Sequence, residues 1–193
     1  MLGELRDGLE RLRHDDIGTV EENTTMNKPI LFHDIDGVIF GYYGPAGHLQ
    51  LRPGVADWVQ WVHEHFTVIW FSVRRETQVQ ELMRSLCLEK FGTVRIAQWN
   101  TYADKEPWLA VEVKKLNGRP WLWIDDHIAS PGRLEFLGLA PKNCIRVCPD
   151  GPNELIELKK ILESRLERFS GSELSSSTPR GETSATASKK ALT

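Results

Sequence analysis

Cysteine is scarce in this chain of 193 residues, with only Cys87, Cys144 and Cys148. Three scattered thiols exclude a disulfide framework and point to a reducing compartment, so cytoplasmic residence is the expectation. Cys144 and Cys148 read as half a metal site. No second Cys or His pair stands at a matching spacing, which favours buried strand-end cysteines. Long apolar runs are also missing: nothing approaches the roughly 20 residues of a membrane span, and the first residues lack a signal-peptide pattern. No membrane partner is expected. Charge of one sign is lacking too, since 24 Lys and Arg stand against 27 Asp and Glu for a net charge of −3. That balance excludes an overall bias toward nucleic acid or membrane and leaves only local basic patches.

What remains is an ordinary globular composition, 40% hydrophobic and 26% charged, with seven tryptophans. The length suits one domain with a substantial core. Its organising stretch is PILFHDIDGVIFG, residues 29–41. Ile30, Leu31 and Phe32 read as a short buried strand, which meets two aspartates one residue apart and then a glycine. Strand side chains alternate, so Asp34 and Asp36 start on one face, and the chain must turn at Gly37. Carboxylates held that close repel each other unless a cation neutralises them or one keeps a proton. The pattern therefore suggests catalytic or metal chemistry over a capped DG turn.

Residues 1–27 form a leader in which Leu2, Leu5, Leu9 and Leu12 recur at helical spacing, enough for a short amphipathic helix. Residues 40–54, rich in Gly, Pro and Tyr, read as a loop or small hairpin, too short for a cap domain. Val55, Trp58, Val59, Val62 and Phe66 mark an amphipathic helix; His63 and His65 near its end share no face and suit a solvated or dipole-favoured terminus. A second strand, 67–71, precedes Ser72, Val73, Arg74 and Arg75. The next helix carries Val79, Leu82, Met83 and Leu86, with Cys87 beside them, and ends near Lys90 and Gly92. A third strand, 93–98, leads to Lys105 and a helix over 107–116. A fourth, 120–124, ends in Asp125 and Asp126. The fifth, 144–147, precedes a helix opened by Asn153. Residues 169–193 are Ser, Thr, Gly, Ala and Lys with hardly an apolar side chain, the composition of a disordered tail.

Five strands alternating with helices predict an α/β domain over 28–168 with a parallel sheet and right-handed crossovers. Ligands bind such sheets at the carboxyl ends of the strands. Asp34, Asp36, Ser72, Lys105, Asp125 and Asp126 all fall at or just after such ends. If their four loops converge, the aspartates supply the oxygen ligands that Mg2+ prefers, and Mg2+ bridges readily to phosphate. Lys105 offers a compact positive charge and Ser72 a hydroxyl and a neighbouring N–H, which suits phosphoryl transfer with an aspartate as nucleophile. Lys114 and Lys115 lie about three turns along the helix and should point away from the site.

The order DxDG, strand-end Ser, Lys, then DD after a hydrophobic strand resembles the haloacid dehalogenase-like hydrolases. DIDGV is similar to their first motif and WLWIDD to their fourth, and the resemblance covers residues 28–168. It implies a Rossmann-like three-layer sandwich with a five-stranded parallel sheet and no sizeable cap. Carried over, Asp34 would be the nucleophile and Asp36 the general acid/base. Lys105 would stabilise charge, and Ser72 would hold the phosphoryl group, with Gly37 and Arg74 as further substrate contacts. Asp125 and Asp126 would bind Mg2+ together with Asp34 and the backbone carbonyl of Asp36. The RPGV lead-in, residues 52–55, also looks like the carboxy-terminal-domain and small magnesium-dependent phosphatase branch. The chain departs from that branch in having Gly37 where threonine is usual, and it is similar as well to domains attached to RNA-repair proteins.

Asp36 argues for a phosphatase over a dehalogenase or an ATPase, which use no acid/base aspartate at that place. The substrate is expected to be a phosphorylated small molecule or macromolecule. An uncapped pocket suits a phosphate protruding from something large, a protein side chain or a nucleic-acid end. Tyr42, Tyr43, His48 and Trp99 are candidates for stacking beside it, and Arg74 with Arg75 for steering a polyanion. A response-regulator receiver uses the same residue types in the reverse order, with no role for Asp36. A non-catalytic phosphopeptide- or nucleic-acid-binding module on the same fold is the alternative class.

Overall fold

A computed structural model of the chain describes residues 28–42, 47–86, 94–99 and 104–174. The leader 1–27, Tyr43, Cys87, the expected helix end near Lys90 and Gly92, and residues 175–193 lie outside the described residues. Strand β1 (Ile30–His33) is central. It pairs in parallel with β4 (Thr67–Trp70) on one side and with β5 (Trp121–Asp125) on the other. Strand β6 (Cys144–Arg146) continues the sheet beside β5, giving the order β4-β1-β5-β6. Strands β2 (Phe40–Tyr42) and β3 (Leu49–Leu51) form a separate antiparallel hairpin, registered Phe40 to Leu51. The α/β class with a parallel sheet stands.

Among the described residues the sheet has four strands in place of the expected five. Residues 94–99 lie at the edge beyond β4, where Trp70 N–H donates to the Arg95 carbonyl and Ala97 N–H to the Trp70 carbonyl. Those two bonds make a bridge at Ile96 and no ladder. The reason is local: Arg95 and Gln98 face solvent, leaving this stretch too little apolar surface to hold a full strand on the edge.

The strands read as continuous apolar runs because both faces of the sheet are covered. On β1, Leu31 points into one core and Ile30 and Phe32 into the other; on β5, Leu122 and Ile124 point one way and Trp123 the other. The Leu31 face is covered by α1 (Val55–His65), α2 (Glu76–Ser85) and α5 (Glu154–Leu174), through Val59, Val62, Val79, Met83, Leu158 and Leu162. The Phe32 face is covered by α3 (Lys105–Glu112) and α4 (Pro131–Phe136), through Leu109 and Leu134. Burying each such aliphatic side chain contributes about 1.5–3 kcal/mol, so the two cores fix which strand ends meet.

Three boundaries differ from expectation. Helix α3 starts at Lys105, two residues before Pro107, because a first-turn residue has no intrahelical N–H bond to lose. It tightens into a 3-10 turn, Val113–Leu116, and stops at Asn117 and Gly118, both with positive φ. Helix α5 runs to Leu174, beyond the expected domain end at 168, with Phe169 packed on the core. Helix α4, with six residues, is too short to leave a periodic signal between Asp126 and Cys144. Between β1 and α1 stands the hairpin, in place of a cap. No helix among the described residues is long and apolar enough to cross a membrane.

Candidate active site

The carboxyl ends of β1, β4 and β5 meet at one edge of the sheet. Asp34 follows β1 directly and is buried, and Asp125 is the last residue of β5 and is buried as well. Lys105, the first residue of α3, places its Nζ 2.7 Å from Asp34 Oδ1 and 2.7 Å from Asp125 Oδ2. Asp125 Oδ1 also accepts the His127 N–H at 2.8 Å. Asp34, Asp125 and Asp126 each offer a carboxylate oxygen, all within 4.8 Å of one another. Three hard oxygen donors at that separation fit Mg2+ by ligand type, so the residues present suit the metal the sequence implies.

Electrostatics explain why a cation belongs there. Burial, then the neighbouring Asp125 charge, push the Asp34 carboxyl up to about 7, against the pull of Lys105. Burial likewise raises Asp125. Burial alone would lower Lys105, but the two carboxylates hold it above its ordinary value. Lys105 thus stays charged and partly neutralises two acids that cannot both ionise freely. Lys115 instead pairs with Glu112 on the exposed end of the helix region.

Asp36 is in a different relationship. Arg74 grips it with a fork: Nη2 lies 2.6 Å from Oδ1, and Nε lies 3.1 Å from each oxygen. The guanidinium also sits 4.6 Å over the Phe40 ring. Ser72, buried at the end of β4, accepts the Arg74 backbone N–H at 3.3 Å. An open cleft of about 450 Å³ is lined by Asp34, Asp36, Lys105, Asp125 and Asp126, with Tyr42, Trp99, Glu106, His127 and Arg133 among the other walls. Ser72, Gly37 and Arg74, expected as substrate contacts, are not among the residues that line the cleft, nor is the exposed His48.

Gly37 has a role that its sequence position did not reveal. Its φ is 79°, and a Cβ there would lie 2.2 Å from Asp126 Cγ. The bare backbone makes room for the Asp126 carboxylate. Gly37→Ala is therefore expected to destabilise the chain by about 1–2 kcal/mol from the left-handed conformation alone, and more from the displaced aspartate. Chemical denaturation checks the stability, and a magnesium titration is expected to show weakened binding; unchanged values in both would refute this role for Gly37.

Two further residues escaped sequence reasoning. Glu106 is buried, lines the cleft, and has no hydrogen-bond or ion-pair partner among the described residues; its position directly after Lys105 was the available signal. His33 lies inside the apolar run of β1 and is fully buried. Burial holds its imidazole down to about 3, hence neutral.

Fold and site together define an α/β parallel-sheet domain with a lysine-bridged carboxylate cluster at the carboxyl edge of the sheet. No protein-family model and no curated protein matches the chain. Solved structures of similar fold include a Vibrio cholerae protein described as a 3-deoxy-D-manno-octulosonate 8-phosphate phosphatase. It is 16% identical with a TM-score of 0.44, over 75% of this chain and 88% of that one. They also include Fcp1, an essential RNA polymerase II CTD phosphatase, at 14% identity and 0.44 over 91% of this chain. The fission yeast Fcp1 R271A variant bound to beryllium fluoride matches at 12% and 0.41 over 88%. This chain spans 58% of either Fcp1 chain. At these values the likeness carries no argument about activity.

Proposed function

We propose that the chain is a haloacid dehalogenase-like phosphatase, a Mg2+-dependent phosphomonoester hydrolase with Asp34 as nucleophile. The observation that carries this reading is Lys105 bridging Asp34 and Asp125 with Asp126 in reach, at the edge where a parallel sheet presents its ligands. Asp34, Asp125 and Asp126 would hold Mg2+, which when bound supplies charge neutralisation for phosphoryl oxygens. Asp34 attacks phosphorus as the ester P–O bond breaks, giving an aspartyl-phosphate. Lys105 steadies the charge that develops on the transferring oxygens.

Asp36 gives its proton to the leaving oxygen and then takes one from the water that attacks phosphorus, which frees phosphate and regenerates Asp34. Protonation of Asp36 requires its parting from Arg74. Both partners of that pair are about a quarter exposed, so water reaches them as the fork opens. The open cleft and the short β2–β3 hairpin support an accessible phosphate of a macromolecule, a protein side chain or a nucleic-acid end, as substrate.

Hydrolysis of p-nitrophenyl phosphate is expected with Mg2+ and is expected to stop with a chelator. A panel of phosphosugars, nucleotides, phosphopeptides and 3′- or 5′-phosphorylated oligonucleotides then ranks substrates, with the polymers expected ahead. Equal rates on small metabolites and none on polymers would defeat the macromolecular assignment. Binding without hydrolysis of any of them would establish the non-catalytic module instead.

A further inference from the structure

His33 occupies a place where an aliphatic residue would pack without any polar demand. Its ring lies against Trp58 and Trp70, with centroids 5.8 and 4.7 Å away. Both nitrogens are engaged. Trp58 Nε1 can only donate, and it lies 2.8 Å from His33 Nε2, so Nε2 must be bare. The proton of the neutral ring is then on Nδ1, which lies 2.5 Å from the Asp34 carbonyl oxygen and donates to it. Trp58 thereby selects the tautomer that Asp34 needs.

That carbonyl marks the point where β1 leaves the sheet. The His33 carbonyl still accepts the Phe71 N–H at 2.8 Å, and the Asp34 N–H still donates to the Ile124 carbonyl at 3.1 Å. At the next carbonyl the partner is an imidazole in place of a strand. Fixing that peptide plane fixes ψ of Asp34, and with it the start of the turn that carries Asp36 and Gly37. An apolar side chain of equal volume would leave the plane free to swing, and a misplacement of about 1 Å at a reacting group is enough to lose roughly 10²-fold in rate.

We propose that His33, held as the Nδ1–H tautomer by Trp58, is a positioning residue that fixes the Asp34 peptide plane and with it the turn that sets Asp36 and Gly37 beside the cluster of Asp34, Lys105 and Asp125. This rests on the reading of Asp34 as nucleophile. Three substitutions separate positioning from mere packing. His33→Asn sets an amide N–H near the Nδ1 position and leaves Trp58 without an acceptor. His33→Gln sets its amide near Nε2 and leaves the Asp34 carbonyl without a donor. His33→Leu removes both.

His33→Gln and His33→Leu are expected to lower kcat about 10- to 100-fold with KM within about twofold, whereas His33→Asn stays within about threefold of wild type. Thermal melting is expected to rank differently, with His33→Gln the most stable of the three because it keeps the Trp58 bond. Activity that follows stability, or a loss carried by KM, would overturn the proposal. 15N NMR of the wild-type imidazole reads the tautomer without turnover. A proton on Nε2, or an imidazolium at pH 7, would also overturn it, whether or not the variants fold. The phosphatase reading stands or falls separately, on hydrolysis of p-nitrophenyl phosphate by the wild-type chain.

Discussion

Replacing Asp34 with asparagine is expected to cut phosphate-ester hydrolysis by roughly 10³-fold or more while leaving the chain folded, the scale on which loss of a nucleophile acts. The amide has the carboxylate's shape but no nucleophilic oxygen anion to offer phosphorus. The same substitution has a signature in stability. The Asp34 carboxyl is pushed up to about 7, chiefly by burial and then by Asp125, so the native state favours the protonated form relative to an unfolded chain near 3.8. A folded-state value above the unfolded one means that native stability declines as pH rises from about 4 through about 7. Metal-free Asp34→Asn is therefore expected to melt above metal-free wild type at pH 8, with the gap closing toward pH 5. Added Mg2+ is expected to reverse the order at pH 8, since it binds the wild-type cluster and not the amide as well. Retention of more than a tenth of the activity, or a gap that widens in acid, would show that Asp34 is neither the nucleophile nor a strained anion.

Much of this site was legible in the sequence because its residues occupy strand ends, and strand ends are marked by where apolar runs stop. ILFH stops at Asp34, TVIWF stops at Ser72 and WLWI stops at Asp125, so topology alone brings them to one edge. Distance along a helix separated Lys105 from Lys114 and Lys115, and the structure shows Lys105 Nζ on both carboxylates. Pairwise contacts between loops were not legible, because nothing in a one-dimensional pattern specifies which side chains meet across them. The Arg74 fork on Asp36 and the approach of Asp126 to Gly37 are of that kind. His33 was overlooked for a different reason: one polar residue does not break an apolar run, and its meaning depends on Trp58, 25 positions away. The expected third strand, 93–98, shows only a bridge in its described residues, because an apolar pattern reports burial and leaves open whether an edge segment gains a full ladder.

The second large effect is expected at Lys105, and it separates charge from chemistry. Its side chain is only 13% exposed, between those of Asp34 at 5% and Asp125 at 1%. Lys105→Met fills much of the same space and leaves two buried carboxylates facing each other with no counter-charge. Breaking a buried pair by removing one partner costs about 3–5 kcal/mol, and that is the destabilisation expected at pH 8 in the absence of metal. It should shrink as pH falls toward 5, where Asp34 takes up a proton and the repulsion ends. The double variant Lys105→Met with Asp34→Asn should recover most of the loss, because one uncompensated carboxylate remains in place of two. Mg2+ should stabilise Lys105→Met as well, yet not restore its rate, since no cation then stands beside the transferring oxygens at the lysine's position. Hydrolysis is expected to stay down about 10²- to 10³-fold at saturating metal. Lys105→Arg should not rescue it, because a planar guanidinium is too large for the gap between two oxygens each 2.7 Å from a single nitrogen. If Lys105→Met were as stable as wild type at pH 8 without metal, the two carboxylates would not need the lysine. If metal restored its full rate, the role of Lys105 would be confined to holding the site together.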